Sequence, residues 1–297
     1  MGRETIVDFI ERNLRTYPKM KKIDIYKEIY QSMYLTGHLL NDNSYKYLIN
    51  EWDDVKSLSI NKPLYEFIDS DVIRVNLESF NLDIDELYDL FKKSSEVKLD
   101  KDYYKYIEEY NLTEFYGSGI PSHSDLYRET YQPHYRVIYY EYIPLSYKVY
   151  KLARFIEEKR IEKNDNNKIN FIAMEGLPYL GKAKIASFLE DVTVINMDEI
   201  DIYYLDKVLS SFEVGKRIIL DCDNGISTFK KIVDIKDTVL LVGTYSYINF
   251  LRKYINYLVY CVGSSDAIEK KTNKKIDYDL KRYYQEYDFL KNADILI

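Results

Sequence analysis

Residues 169–189 constrain this chain more than any other stretch. Ile169 to Met174 is a short apolar run of the kind that becomes a fully buried strand. It leads directly into Gly176-Leu-Pro-Tyr-Leu-Gly181-Lys182, and then into Ile185, Ala186, Phe188 and Leu189, spaced as one face of a helix. Glycines at both ends of such a loop let backbone N–H groups wrap one anion. The start of the helix adds positive potential, and a lysine at this place reaches the outer oxygens of a bound phosphate chain.

Strand, glycine loop, lysine and helix in that order form the P-loop arrangement. The motif asks for Ser or Thr after the lysine, whose hydroxyl ligates Mg²⁺. Here Ala183 and then Lys184 follow, so neither place offers a hydroxyl. The predicted phosphate-binding residues are Gly176, Leu180, Gly181, Lys182, Ala183 and Lys184. The bland alternative is a strand–turn–helix that uses its glycines only to turn.

Around this loop the pattern alternates strand and helix, the mark of a parallel α/β sheet. Strands are expected at 169–174, 192–196, 217–221, 238–243, 257–262 and 293–297, with helices near 182–190, 201–212, 247–253 and 277–289. Ligands of such sheets bind beyond the carboxyl ends of the strands. Asn196-Met-Asp-Glu199, Asp221-Cys-Asp-Asn-Gly225 and Gly243-Thr-Tyr-Ser246 are expected there beside the glycine loop.

Residues 1–160 read mainly as helix. Ile6, Phe9, Ile10 and Leu14 share one face, as do Ile25, Ile29, Met33 and Tyr34. Further helices are expected at Ser44–Trp52, Ile84–Phe91, Tyr103–Tyr110 and Leu145–Glu158. A turn is expected at 36–38 and a loop at 117–121. Asp71 to Leu77 alternates weakly, as a short strand or an extended segment, and Pro133 bars a regular helix through 131–137. The polar stretch 163–168 then separates a mostly helical domain, 1–162, from an α/β domain, 163–297.

Composition narrows the function. A net charge of −7, with no face-long basic cluster, argues against nucleic acid as partner. Two cysteines 39 positions apart form neither a zinc motif nor a disulfide framework and fit a reducing cytoplasm. The start has no signal-peptide core, and no apolar run reaches membrane-spanning length. The three histidines, His38, His123 and His134, all lie in the first half; they read as separate hydrogen-bonded groups more readily than as a metal site. The 33 tyrosines, beside abundant Lys, Asn and Ile, point to genome composition rather than to a tyrosine-based function.

The glycine loop, Asn196-Met-Asp-Glu199, Leu220-Asp-Cys-Asp223 and Val242-Gly-Thr-Tyr-Ser246, in this order, resemble a family of bacterial P-loop proteins called uridine kinase-like, which belongs with nucleoside kinases and phosphoribulokinases. Tyr287 to Asp294 resembles that family's closing helix and strand, while Tyr30 to His38 and Tyr131 to Val137 resemble two segments of its two-domain members. The resemblance implies a P-loop kinase-like parallel sheet with helices on both faces, preceded by a mostly helical N-terminal domain. It also implies ATP-dependent phosphoryl transfer to a small hydroxyl compound.

In that scheme Lys182 holds the outer phosphates. Asp198 orients the acceptor hydroxyl or takes its proton, unless it merely caps the helix that follows. Asp221 or Asp223 ligates Mg²⁺, Asp223 and Tyr245 face substrate, and His38 and the Tyr135-Arg136 pair face substrate or the domain interface. The partners implied are a nucleotide and a small molecule. The chain departs from the family at Ala183, at Val242 in place of an acid, at Met33 in place of an acid, and at 268–275, where lysines stand for lid arginines. The segment between Asp198 and Asp221 is also shorter. A second reading is therefore open, a catalytically degenerate nucleotide-binding or regulatory module, and a third is a scaffold that binds no nucleotide.

Overall fold

The computed structural model describes residues 5–35, 40–56, 62–99, 101–117, 122–131, 134–163 and 168–297. The expected turn at 36–38, part of the 117–121 loop and most of the 163–168 connection lie outside these residues. Two compact units divide at Tyr147/Lys148. The division precedes the polar stretch at 163–168, because the helix before that stretch packs with the α/β sheet.

The first unit contains α1 (Ile6–Thr16), α2 (Lys22–Tyr34), α3 (Ser44–Val55), α4 (Ile84–Ser94), α5 (Tyr103–Glu109) and α6 (Asp125–Thr130). The amphipathic faces read from the sequence supply its core: Ile6, Phe9, Ile10, Ile25, Ile29 and Met33 are buried together with Leu14 packed against them, whereas Tyr34, read on the same face of α2, is exposed. To these helices the structure adds an antiparallel sheet of β1 (Tyr65–Asp69), β2 (Val72–Asn76) and β3 (Tyr135–Tyr139), with β2 in the middle. The weakly alternating 71–77 segment is this central strand. All five of its residues are buried, so no polar face remains to give a clean alternation.

That sheet carries a buried ionic cluster. Arg74 lies 2.8 Å from Glu66 and 3.5 Å from Glu28, whose side chain is fully buried. Burial raises the Glu66 carboxyl, but Arg74, with Arg12 and Asn76, more than offsets it, and the net position is below the usual carboxylate range. Glu51 and Asp24 are likewise pushed up by burial yet held low overall, Glu51 by His134 and Arg136, Asp24 by His123 and its backbone donors. Burial drives His123 below its ordinary 6.5.

The signs agree. Carboxyls depressed in the fold support it above their unfolded pKa and stop doing so as pH falls through the depressed value. A histidine held neutral penalises the fold once pH drops below 6.5, where the unfolded chain takes up a proton. The first unit is expected to weaken steadily on acidification below neutrality. Trp52, the single tryptophan, donates to the Phe80 carbonyl within this unit and reports its unfolding by fluorescence. A Trp52 melting midpoint that stays level or rises between pH 7 and pH 4.5 would contradict the linkage.

The second unit begins with most of α7 (Leu145–Ile161). Lys151 Nζ donates to the Leu296 carbonyl at 2.6 Å, Phe155 packs edge-on to Tyr257, and Arg160 reaches Thr238 and Asp237. Its sheet has five parallel strands: β4 (Asn170–Gly176), β5 (Thr193–Asn196), β8 (Thr238–Val242), β9 (Tyr257–Cys261) and β10 (Ile295–Leu296). The spatial order is β10-β9-β4-β8-β5. β4 and β8 are buried along their whole length, as strands covered on both faces must be. The chain leaves β4 for one side of the sheet and later crosses to β9 on the other. β4 therefore stands at the topological switch, where a crevice opens at the carboxyl ends.

Helices α8 (Lys182–Ala186), α9 (Ile202–Leu209), α10 (Ser265–Thr272), α11 (Tyr278–Tyr287) and α12 (Phe289–Asn292) flank this sheet. Two expectations fail in this unit. The 217–221 strand does not join the parallel sheet. It is β6 (Arg217–Asp223), paired antiparallel with β7 (Thr228–Asp234) as a separate hairpin. The helix expected at 247–253 is a run of turns, with bonds such as Ile248 N to Tyr245 O and Leu251 N to Ile248 O. Among the described residues no helix is long and apolar enough to cross a membrane.

Candidate phosphate-binding cleft

At the carboxyl end of β4 the backbone of Gly176 has φ +147°, and a Cβ there would lie 2.8 Å from the Cys261 carbonyl. Only glycine lets the chain turn away from β9 this closely. The loop crosses Tyr179, at φ +67°, and ends at Gly181, at φ +75°, which caps α8. α8 has five residues, so its dipole is a minor contribution. The loop amides and Lys182 are the main attraction for an anion.

Lys182 is buried. Its Nζ donates to the Gly176 and Leu177 carbonyls at 2.5 and 2.8 Å, folding the ammonium into the throat of the loop. Burial lowers its pKa, and Cys261, Glu175 and Asp198 nearby pull it back toward its ordinary range without restoring it. Leu180 and Tyr179 do not plug the loop. Leu180 packs on Gly263 so closely that a Cβ there would lie 2.5 Å from Leu180 Cδ2. The Tyr179 ring is exposed, with Lys274 beside it.

A cleft of about 410 Å³ opens over this loop, lined by Gly181, Lys182, Ala183, Asn196, Asp198 and Thr244 among others. Leu180 and Lys184 also line it; Gly176 does not, and meets the site only through its carbonyl, which accepts from Lys182 Nζ. Asp198 is brought here by contact between strand ends. A Cβ on Gly243 would lie 2.8 Å from Met197 Cβ and 3.3 Å from Asp198 Oδ1. Nor does Asp198 cap a helix. It sits exposed on the turn Met197–Glu199, and Asp201 caps α9 through Tyr204 N at 2.8 Å.

Asp221 and Asp223 are not in the cleft. Leu220 and Cys222 turn inward to the core, so the pleat of β6 points both aspartates to solvent. Asp221 lies 4.0 Å from Lys230, and Asp223 accepts from Gly225 N in the hairpin turn. Tyr245, at φ +66°, also lies outside the cleft lining, with its ring 4.9 Å from that of Tyr283. Arg136 belongs to the first unit and is ion-paired to Glu51 at 2.7 Å.

The donor set does not suit a directly ligated Mg²⁺. Ala183 offers no side-chain oxygen, β8 ends in Val242, and Asp198 is the only carboxylate lining the cleft among the described residues. Among the described residues no cluster of three or more His, Cys, Asp or Glu could hold a metal. His123 and His134 are separate: the first bonds Tyr135 and the second Glu51, and His38 lies outside the described residues.

Sequence reasoning missed Glu175 and Thr244. Thr244 brings a hydroxyl residue to the cleft lining just after β8. Glu175, fully buried one residue before the loop, accepts from Gly176 N, Tyr247 N, Ser246 Oγ and the hydroxyls of Tyr283 and Tyr284, at 2.5 to 3.3 Å. Burial raises its pKa, and the donors and Lys182 offset only part of that. Its signal was a carboxylate ending an otherwise apolar strand.

No family model and no curated protein matches this sequence. Among solved structures the chain is similar to one described as a possible uridine kinase from Bacillus stearothermophilus, at 17% identity and a TM-score of 0.40, over 50% of this chain and 99% of that one. It is also similar to a structure described as a possible fructose transport system kinase from a Silicibacter species, at 12% identity and a TM-score of 0.31, over 52% of this chain and 99% of that one. The sheet order, the switch at β4 and the glycine loop by themselves make the second unit an α/β P-loop kinase-like fold.

Proposed function

We propose that the second unit binds the phosphate chain of a nucleotide, with ATP the expected ligand, and does so without depending on Mg²⁺. The observation that carries this reading is Lys182. Its ammonium is buried at the throat of an open glycine loop and, among the described residues, held by two carbonyls, which a phosphate would replace with a better partner. The absent hydroxyl at Ala183 and the absent acid at Val242 favour a degenerate member of the uridine kinase-like group, in which binding outlasts catalysis.

Asp198 supports a second reading. In that reading its exposed carboxylate, which lines the same cleft as Lys182, accepts the proton of a small hydroxyl substrate while Lys182 neutralises the transferred group.

Calorimetric titration of the full chain with ATP, with and without Mg²⁺, tests the proposal. Micromolar affinity that Mg²⁺ changes less than about threefold is expected, and Lys182→Ala is expected to weaken it by about 100-fold, the loss of a charge-assisted contact of roughly 3 kcal/mol. Affinity unchanged in Lys182→Ala would remove the site. Release of ADP that Asp198→Asn abolishes would move the assignment to the enzyme.

A further inference from the structure

A cavity larger than the phosphate-binding cleft lies in the first unit, and nothing in the glycine loop explains it. It measures about 660 Å³, the size of a site for a small metabolite, and its inner wall carries Lys27, Gln31, Glu51, His123, Tyr135 and Arg136. Two of the segments singled out in the sequence meet here. Gln31, from the stretch 30–38, accepts from the Tyr135 hydroxyl, from the stretch 131–137, at 2.9 Å.

Most polar groups in this wall are already committed. Glu51 is held by His134 and Arg136. His123 bonds Tyr135, and behind the wall Asp24 takes two bonds from Ser124 while Glu28 binds Arg74 and Tyr127. Lys27 is the exception. Its ammonium is half-buried and makes no hydrogen bond or ion pair with the described residues. Arg128, exposed at the same cavity, makes none either. Burial depresses Lys27, and Arg128 and Arg136 add to that depression, against the opposing pull of Glu28 and Asp24. Three cations thus converge on one space, two of them without a counter-charge in contact among the described residues.

We infer that this cavity is a binding site for a phosphate monoester on a hydroxylated body, a sugar-phosphate class of ligand. The dianionic head sits against Lys27 and Arg128, with Arg136 close by. A monoester dianion suits a point-charge ammonium beside guanidinium donors better than a single carboxylate does. The body meets Asn41, Ser44 and Glu51 and the rim carboxylates Asp125 and Glu129, which accept from hydroxyls and disfavour a second anionic group.

Calorimetry of the full chain with glucose 6-phosphate and with inorganic phosphate is the test. Glucose 6-phosphate is expected to bind wild type and Lys182→Ala alike, inorganic phosphate more weakly, and Lys27→Met at least tenfold more weakly than wild type. Lys27→Met keeps the aliphatic stem and removes a desolvated charge, so its Trp52 melting midpoint is expected to be equal or higher, which separates lost binding from lost folding. Arg128→Ala, at an exposed position, is expected to weaken binding several-fold. No binding of glucose 6-phosphate to wild type, undiminished binding to Lys27→Met, or binding abolished by Lys182→Ala would each overturn the inference. The Lys182→Ala arm keeps this site distinct from the nucleotide cleft.

Discussion

Glu175→Ala is expected to destabilise the second unit by about 3 kcal/mol or more, the largest effect of any single truncation near the cleft. Glu175 is fully buried and gathers five donors from three parts of the chain. Gly176 belongs to the loop, Ser246 and Tyr247 to the turns after β8, and Tyr283 and Tyr284 to α11. The hydroxyls can swing elsewhere or take up water, and Gly176 N–H keeps a long contact of 3.3 Å with the Tyr284 hydroxyl, but the Tyr247 N–H is fixed by the backbone and is left facing a void. Glu175→Gln is expected to cost less, since the amide oxygen still accepts while its NH₂ opposes one pair of donors. Denaturant unfolding of the two variants checks the order. Equal stability of wild type and Glu175→Ala would show that this carboxylate does not tie the loop to α11.

Arg74→Met is expected to cost the first unit about 4 kcal/mol, the typical loss when one member of a buried ion pair is removed. The guanidinium sits in the central strand and lies against Glu66 and Glu28, with the Phe9 and Tyr135 rings within 5.1 Å. Methionine fills the volume but leaves Glu28 without its arginine and Glu66 with only Arg12, 3.7 Å away, and one oxygen of Glu28 has no hydrogen-bond partner even now. Glu28→Gln in the Arg74→Met background is expected to recover part of the loss, because a neutral amide tolerates the apolar surroundings. Urea unfolding followed at Trp52 reads both variants. A single variant as stable as wild type would mean the cluster is incidental to the fold.

The glycine loop was legible because three local signals agree there: a continuous apolar strand, glycines where the backbone demands them, and apolar helix spacing beyond. The core faces of α1 and α2 were legible from periodicity alone. The β6–β7 hairpin was misread because Arg217 to Leu220 resembles a buried strand when taken in isolation. The stronger signal lay just beyond it, in Asn224-Gly225 between two runs of alternating residues, a turn pair that favours a tight antiparallel connection. Reading that turn removes Asp221 and Asp223 from the cleft and makes β8 the strand beside β4. The carboxylate network at Glu175 was beyond local reading, since its donors lie up to 109 positions away.

The central claim is that backbone amides between Leu177 and Lys182 form an anion nest at the carboxyl end of a parallel sheet. Titrating ¹⁵N-labelled protein with ATP in the absence of metal tests it most directly. Concerted shifts of the Tyr179 to Lys184 amides, joined by those of Asp198 and Thr244, are the predicted result. Shifts confined to the β6–β7 hairpin, or a loop that stays silent at millimolar ATP, would contradict it.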